Sequence, residues 1–309
     1  MKLVFLDAKS IGEDIDLSGF DKLGEVEKYD FTRDYEVEAR SRDADILIVN
    51  KVSINSETIA GAKNLKMVCV TATGTNNLDK AYLEERGILW RNVAGYSTES
   101  VAQHTFAMFF YLYEKLRYYD EYVKSGAYVN DTIFTHFSEH FHELNQKTWG
   151  IIGMGSIGQR VATIAQAFGC RVIYYSTSGL NHQSDFQEVS FQTLLGESDV
   201  ISVHAPLNEN TQDLMDRAAF LQMKPEAVFL NLGRGQIVVE EDLAAALEEG
   251  EIAAAGLDVL TKEPMSEHNP LLRIKDSNRL LITPHIAWAS VEARNRLMRT
   301  ILDQVRDEM

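Results

Sequence analysis

A glycine-rich turn between two short apolar runs constrains the fold of this 309-residue chain more than any other stretch. Trp149 to Ile152 is β-rich, Gly153-Met154-Gly155-Ser156-Ile157-Gly158 follows, and Ile157, Val161, Ile164, Ala165 and Phe168 then recur at helical spacing. Gly169 closes that helix, and Arg171 to Tyr175 is a second β-rich run. Strand, turn, helix and strand in this order are the context that gives a Gly-x-Gly-x-x-Gly turn its meaning. Gly153 permits the tight turn, Gly155 lets the backbone approach a pyrophosphate, and Gly158 lets helix pack on strand. Free N–H groups at the helix N-terminus then face the anion. The stretch predicts a dinucleotide site; the plainer alternative, a glycine turn with no ligand, fits the flanking pattern less well.

One position departs from that pattern. An Asp or Glu about 20 residues beyond the turn usually grips the adenosine ribose, and here the chain offers Ser176-Thr177-Ser178. No acid repels a 2′-phosphate, and no Arg or Lys in the next ten residues welcomes one. The expected cofactor is NAD or NADP, with the choice open at Ser176.

The rest of the chain supports an α/β protein. Lys2–Leu6, Val26–Tyr29, Ile46–Val49, Met67–Val70 and Ile88–Trp90 are apolar runs separated by helix-compatible segments, which predicts a first parallel sheet. Residues Ser97 to roughly Ser125 read as one long helix with Val101, Thr105, Phe106, Phe109, Phe110, Tyr113 and Leu116 on its apolar face. Gly126 to Gln146 is aromatic and His-rich without periodicity, a loop excursion that fits a subunit contact. Its His136, His140 and His142 lack a carboxylate pattern, so no metal is expected. After the glycine turn come strands at Val200–Val203, Val228–Asn231, Ile252–Leu257 and Leu280–Thr283, with a helix from Glu240 to Glu249 ended by Gly250. Ser290 caps a last helix that returns to the first domain, leaving a cleft between the two. Two doubly wound parallel-sheet domains follow: a smaller flavodoxin-like substrate domain of residues 1–98 and 289–309, and a Rossmann coenzyme domain of residues 99–288.

A formal charge of −16 argues against nucleic acid or an anionic membrane as partner. The apolar start of the chain is too short for a signal peptide, and no stretch approaches a membrane span. A cytoplasmic location is expected, with Cys69 and Cys170 as buried free thiols.

Three polar residues stand at the ends of late strands: Arg234, Glu263 and His285. In open parallel sheets the ligand crevice lies at those ends. Hydride addition to a ketone builds negative charge on its oxygen, which a guanidinium stabilises while also holding a carboxylate. Arg234 suits that role. A histidine gives or takes a proton near neutrality, so His285 is the expected acid, and Glu263 beside it fixes the tautomer and favours the imidazolium.

With these motifs in place the chain resembles the D-2-hydroxyacid dehydrogenase family over essentially its whole length. The fingerprint, Arg234-Gly235, Gly256-Leu-Asp-Val-Leu-Thr-Lys-Glu-Pro264 and Pro284-His285 stand in the family's order. The resemblance implies that Arg234, Glu263 and His285 are catalytic. It implies that Ser156, Ile157, Leu232, Gly233 and Asp258 line the cofactor, with Pro206 and Thr211 along it. It also implies that backbone N–H groups near Thr73 and Gly74 hold the substrate carboxylate, flanked by Lys51. Within the family, Asn92-Val-Ala-Gly-Tyr-Ser-Thr98 and Thr283-Pro-His-Ile-Ala-Trp288 are most similar to glycerate dehydrogenases, also called hydroxypyruvate reductases. Formate dehydrogenases carry Gln where Glu263 stands.

The expected activity is reduction of a small 2-oxo acid, hydroxypyruvate or glyoxylate, to the D-2-hydroxy acid, and the reverse. Pyruvate or a branched or aromatic 2-oxo acid is the alternative substrate. A non-catalytic dinucleotide sensor is the alternative class, which has no need of an acid. The resemblance further implies a homodimer through the long helix and the 126–146 segment.

Overall fold

Two parallel sheets arise from short runs in which nearly every residue is apolar. Ile46-Leu47-Ile48-Val49 is buried throughout, as is Val200-Ile201-Ser202-Val203, and such uninterrupted runs suit strands covered on both faces. The computed structural model describes residues 1–180 and 185–308 and divides into two compact units, Met1–Ser97 with Ala289–Met309, and Thr98–Trp288.

The first unit holds β1 (Lys2–Phe5), β2 (Glu25–Lys28), β3 (Ile46–Val49), β4 (Met67–Val70) and β5 (Leu89–Arg91). All pairings are parallel, in the order β2-β1-β3-β4-β5. This is the flavodoxin-like order, whose direction of winding reverses between β1 and β3. The last helix, Val291–Asp307, belongs to this unit. Ser290 caps it by accepting from the Ala293 N–H at 3.2 Å, and Leu297, Ile301 and Val305 are fully buried. Its polar side grips the same unit: Arg294 Nη1 donates to the Ile11 carbonyl and Gln304 Nε2 to the Asn92 carbonyl, both at 2.9 Å.

The second unit holds β6 (Thr148–Ile152), β7 (Arg171–Tyr175), β8 (Gln187–Glu188), β9 (Val200–Val203), β10 (Val228–Asn231), β11 (Ala254–Leu257) and β12 (Leu280–Ile282). Again every pairing is parallel, in the order β12-β11-β10-β9-β6-β7-β8. The order reverses between β6 and β9, the arrangement of a Rossmann sheet with an added strand. The fold is therefore α/β with two doubly wound sheets, as expected from the sequence.

Three details differ from expectation. The helix expected from Ser97 to Ser125 is two, Thr98–Tyr113 and Leu116–Lys124, because Lys115 between them turns left-handed at φ 53°. The apolar face ends with the first helix; the second buries no residue, and Leu116 is exposed. Strand β8 has only two exposed polar residues and no apolar signature to read. Strand β11 begins at Ala254 rather than Ile252, where its pairing with Val228 begins. Among the described residues no helix is long and apolar enough to cross a membrane.

Candidate active site

The glycine turn joins β6 to the helix Ser156–Ala167. Gly153 adopts φ 94°, and a Cβ there would lie 2.7 Å from the Ala205 backbone. A Cβ on Gly158 would strike the Gly153 carbonyl. Gly155 is different: a Cβ there would meet nothing within 4 Å. The protein keeps that position bare without filling the space itself, and the N-cap glycine brings no side-chain acceptor for the first helical turn. The Ser156 and Ile157 end of the helix is thus open to an anion.

Around this turn lie polar atoms that the fold buries and does not pair. Ser176 Oγ, just past β7, and both ring nitrogens of His204, just past β9, have no hydrogen-bond partner among the described residues. Burial drives the His204 pKa down to about 3, so the ring is neutral. Unpaired buried polar groups are costly in a finished core and ordinary where a ligand completes them. These residues fit a nicotinamide dinucleotide. Nearby, Thr211 is fully buried and its hydroxyl donates to the Pro206 carbonyl at 2.7 Å, which shapes the loop and leaves Pro206 exposed.

Arg234 follows β10, where the buried Asn231 fixes the backbone. Asn231 Oδ1 accepts from the Gly233 N–H and its Nδ2 donates to the Arg234 carbonyl, both at 3.0 Å, beside Leu232. The Arg234 guanidinium donates to the Gly233 carbonyl at 2.8 Å and, among the described residues, meets no carboxylate. It keeps most of its donors for an incoming acid.

His285 follows β12, two strands from β10. Its Nδ1 lies 2.7 Å from Glu263 Oε2, and Glu263 Oε1 accepts from the Leu260 N–H at 3.0 Å. The carboxylate requires the proton on Nδ1 and turns Nε2 outward; Nε2 has no partner among the described residues. The His285 backbone is left-handed, φ 56°. Asp258, only 2 % exposed, holds it there. Its carboxylate accepts from the Ile286 and Ala287 N–H groups at 2.9 Å and from the Thr283 hydroxyl at 2.7 Å. Its carbonyl accepts from the His285 N–H at 2.8 Å. His104 Nε2 reaches the same Thr283 hydroxyl at 3.1 Å. The side chain expected to line a cofactor therefore also folds the His285 loop.

In the first unit, Lys51 follows β3, and Thr73 and Gly74 follow β4. The N–H groups of Thr73 and Gly74 have no acceptor among the described residues, while the Thr73 hydroxyl is held by the Val93 carbonyl at 3.0 Å. Asp7, past β1, accepts from the backbone of Asn50 and Lys51. Sequence reasoning did not single out Asp7, Asn231, Thr283 or His104 for the site. Each acts through hydrogen bonds to the backbone or side chains of a loop that carries a candidate residue, which leaves no local motif. His136 stacks on Tyr122 with ring centroids 3.7 Å apart and bonds the Tyr118 hydroxyl at 2.8 Å. Among the described residues no cluster of three metal-ligating side chains occurs.

Residues 106–287 match the family model of the NAD binding domain of D-isomer specific 2-hydroxyacid dehydrogenases. The chain is 36% identical to a hydroxypyruvate reductase of Blautia hydrogenotrophica, across 99% of this chain and 96% of that one. It is 33% identical to a glycerate dehydrogenase of Methylorubrum extorquens, across 98% and 95%. Among solved structures, an acyclic imino acid reductase in complex with NADPH and D-Arg superposes with a TM-score of 0.88 at 31% identity, covering 100% of this chain and 97% of that one. The chain belongs to the D-isomer specific 2-hydroxyacid dehydrogenases, NAD(P)-dependent oxidoreductases acting on CH–OH donors.

Proposed function

We propose that this enzyme reduces hydroxypyruvate or glyoxylate to the D-2-hydroxy acid, with Arg234, Glu263 and His285 as its catalytic residues. The observation that carries the reading is the 2.7 Å pairing of His285 Nδ1 with Glu263, which leaves Nε2 as the one ring nitrogen able to serve a substrate. Arg234 holds the substrate carboxylate and the carbonyl oxygen, and stabilises the charge that builds there. His285 gives a proton from Nε2 to that oxygen, and Glu263 holds the ring in place through Nδ1. Within the first unit, the Thr73 and Gly74 amides and the Lys51 ammonium are suited to contact a substrate acid. The bound dinucleotide supplies the hydride. Gly153, Gly155, Ser156, Ile157 and Gly158 would hold its pyrophosphate at the helix N-terminus, and Ser176, Pro206, Thr211, Leu232, Gly233 and Asp258 would border it. The names of the two curated relatives support the choice of substrate, and either NAD or NADP is compatible with Ser176. Two free buried cysteines are in keeping with a cytoplasmic enzyme.

The test is the initial rate with hydroxypyruvate and with glyoxylate, using NADH and NADPH in parallel. Turnover is expected, and His285→Ala is expected to lower kcat by about 10²–10⁴-fold. No rate with either acid and either cofactor would overturn the substrate assignment and leave the family standing.

We further infer a homodimer. The 126–146 segment exposes Val129, Phe134 and Phe137 by 82%, 87% and 72%, an apolar surface of the kind that a second subunit covers. A monomeric mass in solution scattering would reject it.

A further inference from the structure

Strands β1 and β3 are neighbours in register, with Phe5 opposite Ile48, so the residues just past their carboxyl ends meet. This is also where the strand order of the first unit reverses, the place at which open sheets present ligand-binding loops. Asp7 stands there, only 8% exposed. Its Oδ1 accepts from the Asn50 N–H at 2.9 Å, and its Oδ2 from the Lys51 N–H at 2.7 Å and the Asn50 N–H at 3.0 Å. The arrangement is closed behind by Ser10, whose hydroxyl donates to the Asp7 carbonyl at 2.7 Å and accepts from Asn50 Nδ2 at 3.2 Å.

A buried carboxylate is an expensive way to pair two amides. Burial pushes the Asp7 carboxyl up even against the bonds from Lys51 and Asn50 that oppose the shift. A neutral acceptor would satisfy the same turn at less cost in desolvation. What the carboxylate adds is strength and direction: two consecutive N–H groups turned toward one anion fix the peptide planes on either side of Asn50. Lys51 hangs from the second of those planes.

We propose that Asp7 is a positioning residue for substrate binding, setting the backbone from which Lys51 reaches the carboxylate of the 2-oxo acid. The proposal rests on the reading of Lys51 as a substrate contact. A lysine ammonium is a point charge on a flexible stem, so the main chain at its root sets the range over which that charge can reach. Asp7 acts on that root and touches neither substrate nor dinucleotide.

The test is steady-state kinetics of Asp7→Asn, Asp7→Glu, Lys51→Met and the Asp7→Asn/Lys51→Met double variant, with the 2-oxo acid varied at saturating dinucleotide. Asp7→Asn is expected to raise KM for the acid about tenfold, to leave kcat within about threefold, and to leave KM for the dinucleotide unchanged. Asp7→Glu keeps the charge but displaces the loop by a methylene, and is expected to raise KM as well. It carries the test if the amide variant folds poorly. Lys51→Met is expected to raise KM at least as much, and the double variant no further, because both changes remove one interaction. If Lys51→Met raises KM and neither Asp7 variant does, the positioning role is overturned and the Lys51 reading stands. Multiplying effects in the double variant would also overturn it. If Lys51→Met leaves KM unchanged, the Lys51 reading falls and takes the positioning role with it.

Discussion

Asp7 in the first unit and Asp258 in the second sit at equivalent points of two unlike sheets. Each follows a buried strand, and each accepts from two consecutive N–H groups past the neighbouring strand: Asn50 and Lys51 for Asp7, Ile286 and Ala287 for Asp258. The difference lies in what else is tied down. Asp258 also holds the Thr283 hydroxyl, itself met by His104, and its carbonyl holds the His285 N–H. Asp7 adds the Ser10–Asn50 brace and accepts the Ser10 N–H on its own carbonyl at 3.0 Å, without a second side chain on its carboxylate to match Thr283. The second loop carries a non-glycine residue at φ 56°, a conformation that costs on the order of 1–3 kcal/mol and survives only where surrounding bonds over-determine it. The contrast follows the chemistry of the residue carried. A short imidazole that must aim one nitrogen needs its backbone forced into place, whereas a long ammonium needs only a fixed root.

The harshest way to break the comparison is Asp258→Ala. It strips acceptors from the Ala287 N–H and the Thr283 hydroxyl in a loop that is already strained. At about 1–3 kcal/mol for each buried donor left unpaired, stability is expected to fall by about 3 kcal/mol, and kcat by about 100-fold as His285 loses its orientation. Denaturant unfolding beside kcat checks both; a loss under about 1 kcal/mol with normal turnover would mean that the bonds around Asp258 are redundant.

A smaller effect sharpens it through acid. His204 is neutral in the folded chain, with a pKa near 3, and has an ordinary value of 6.5 when unfolded. The unfolded chain therefore takes up a proton first as pH falls. The His204 contribution is fully present above pH 6.5 and is lost progressively down to about pH 3. At 1.36 kcal/mol per unit, about 2 kcal/mol of stability should go between pH 7.5 and pH 5, measured by unfolding without added dinucleotide. His204→Asn should lack that component; an equal acid loss in the variant would assign it elsewhere. Asp7 works in the opposite sense. Its carboxyl is pushed up by burial, so the stability it contributes is present below its unfolded value of 3.8 and is lost as pH rises through the folded pKa. Acid is thus expected to weaken the second unit at His204 without weakening the first at Asp7.

Much of the fold was legible because backbone geometry demands particular residues. Gly153 and Gly158 leave no space for a Cβ, and Gly155 leaves space that the protein does not use. The uninterrupted apolar runs gave most strands to within a residue or two. Arg234, Glu263 and His285 stood out as ionisable side chains at strand ends, and the structure pairs two of them directly. The supporting residues were not legible. Asp7 bonds to amides 43 and 44 positions away, and Asp258 to amides 28 and 29 positions away, so nothing in either neighbourhood announces the partner. Asn231 bonds locally, yet an asparagine at the end of a strand reads as an ordinary turn residue. The break at Lys115 was hidden because the second helix carries enough Tyr and Val to extend the pattern while burying none of them.

The helix Val291–Asp307 completes the first unit, but it is made only after the whole of Thr98–Trp288 has been translated. At typical rates of chain synthesis that interval is on the order of 10–40 s. Throughout it, the surface that Leu297, Ile301 and Val305 will cover has no cover of its own. The second unit is a continuous segment and has all its strands before that helix emerges. On this order of synthesis the second unit can complete its fold first and the first unit closes last, with an apolar surface uncovered in the interval.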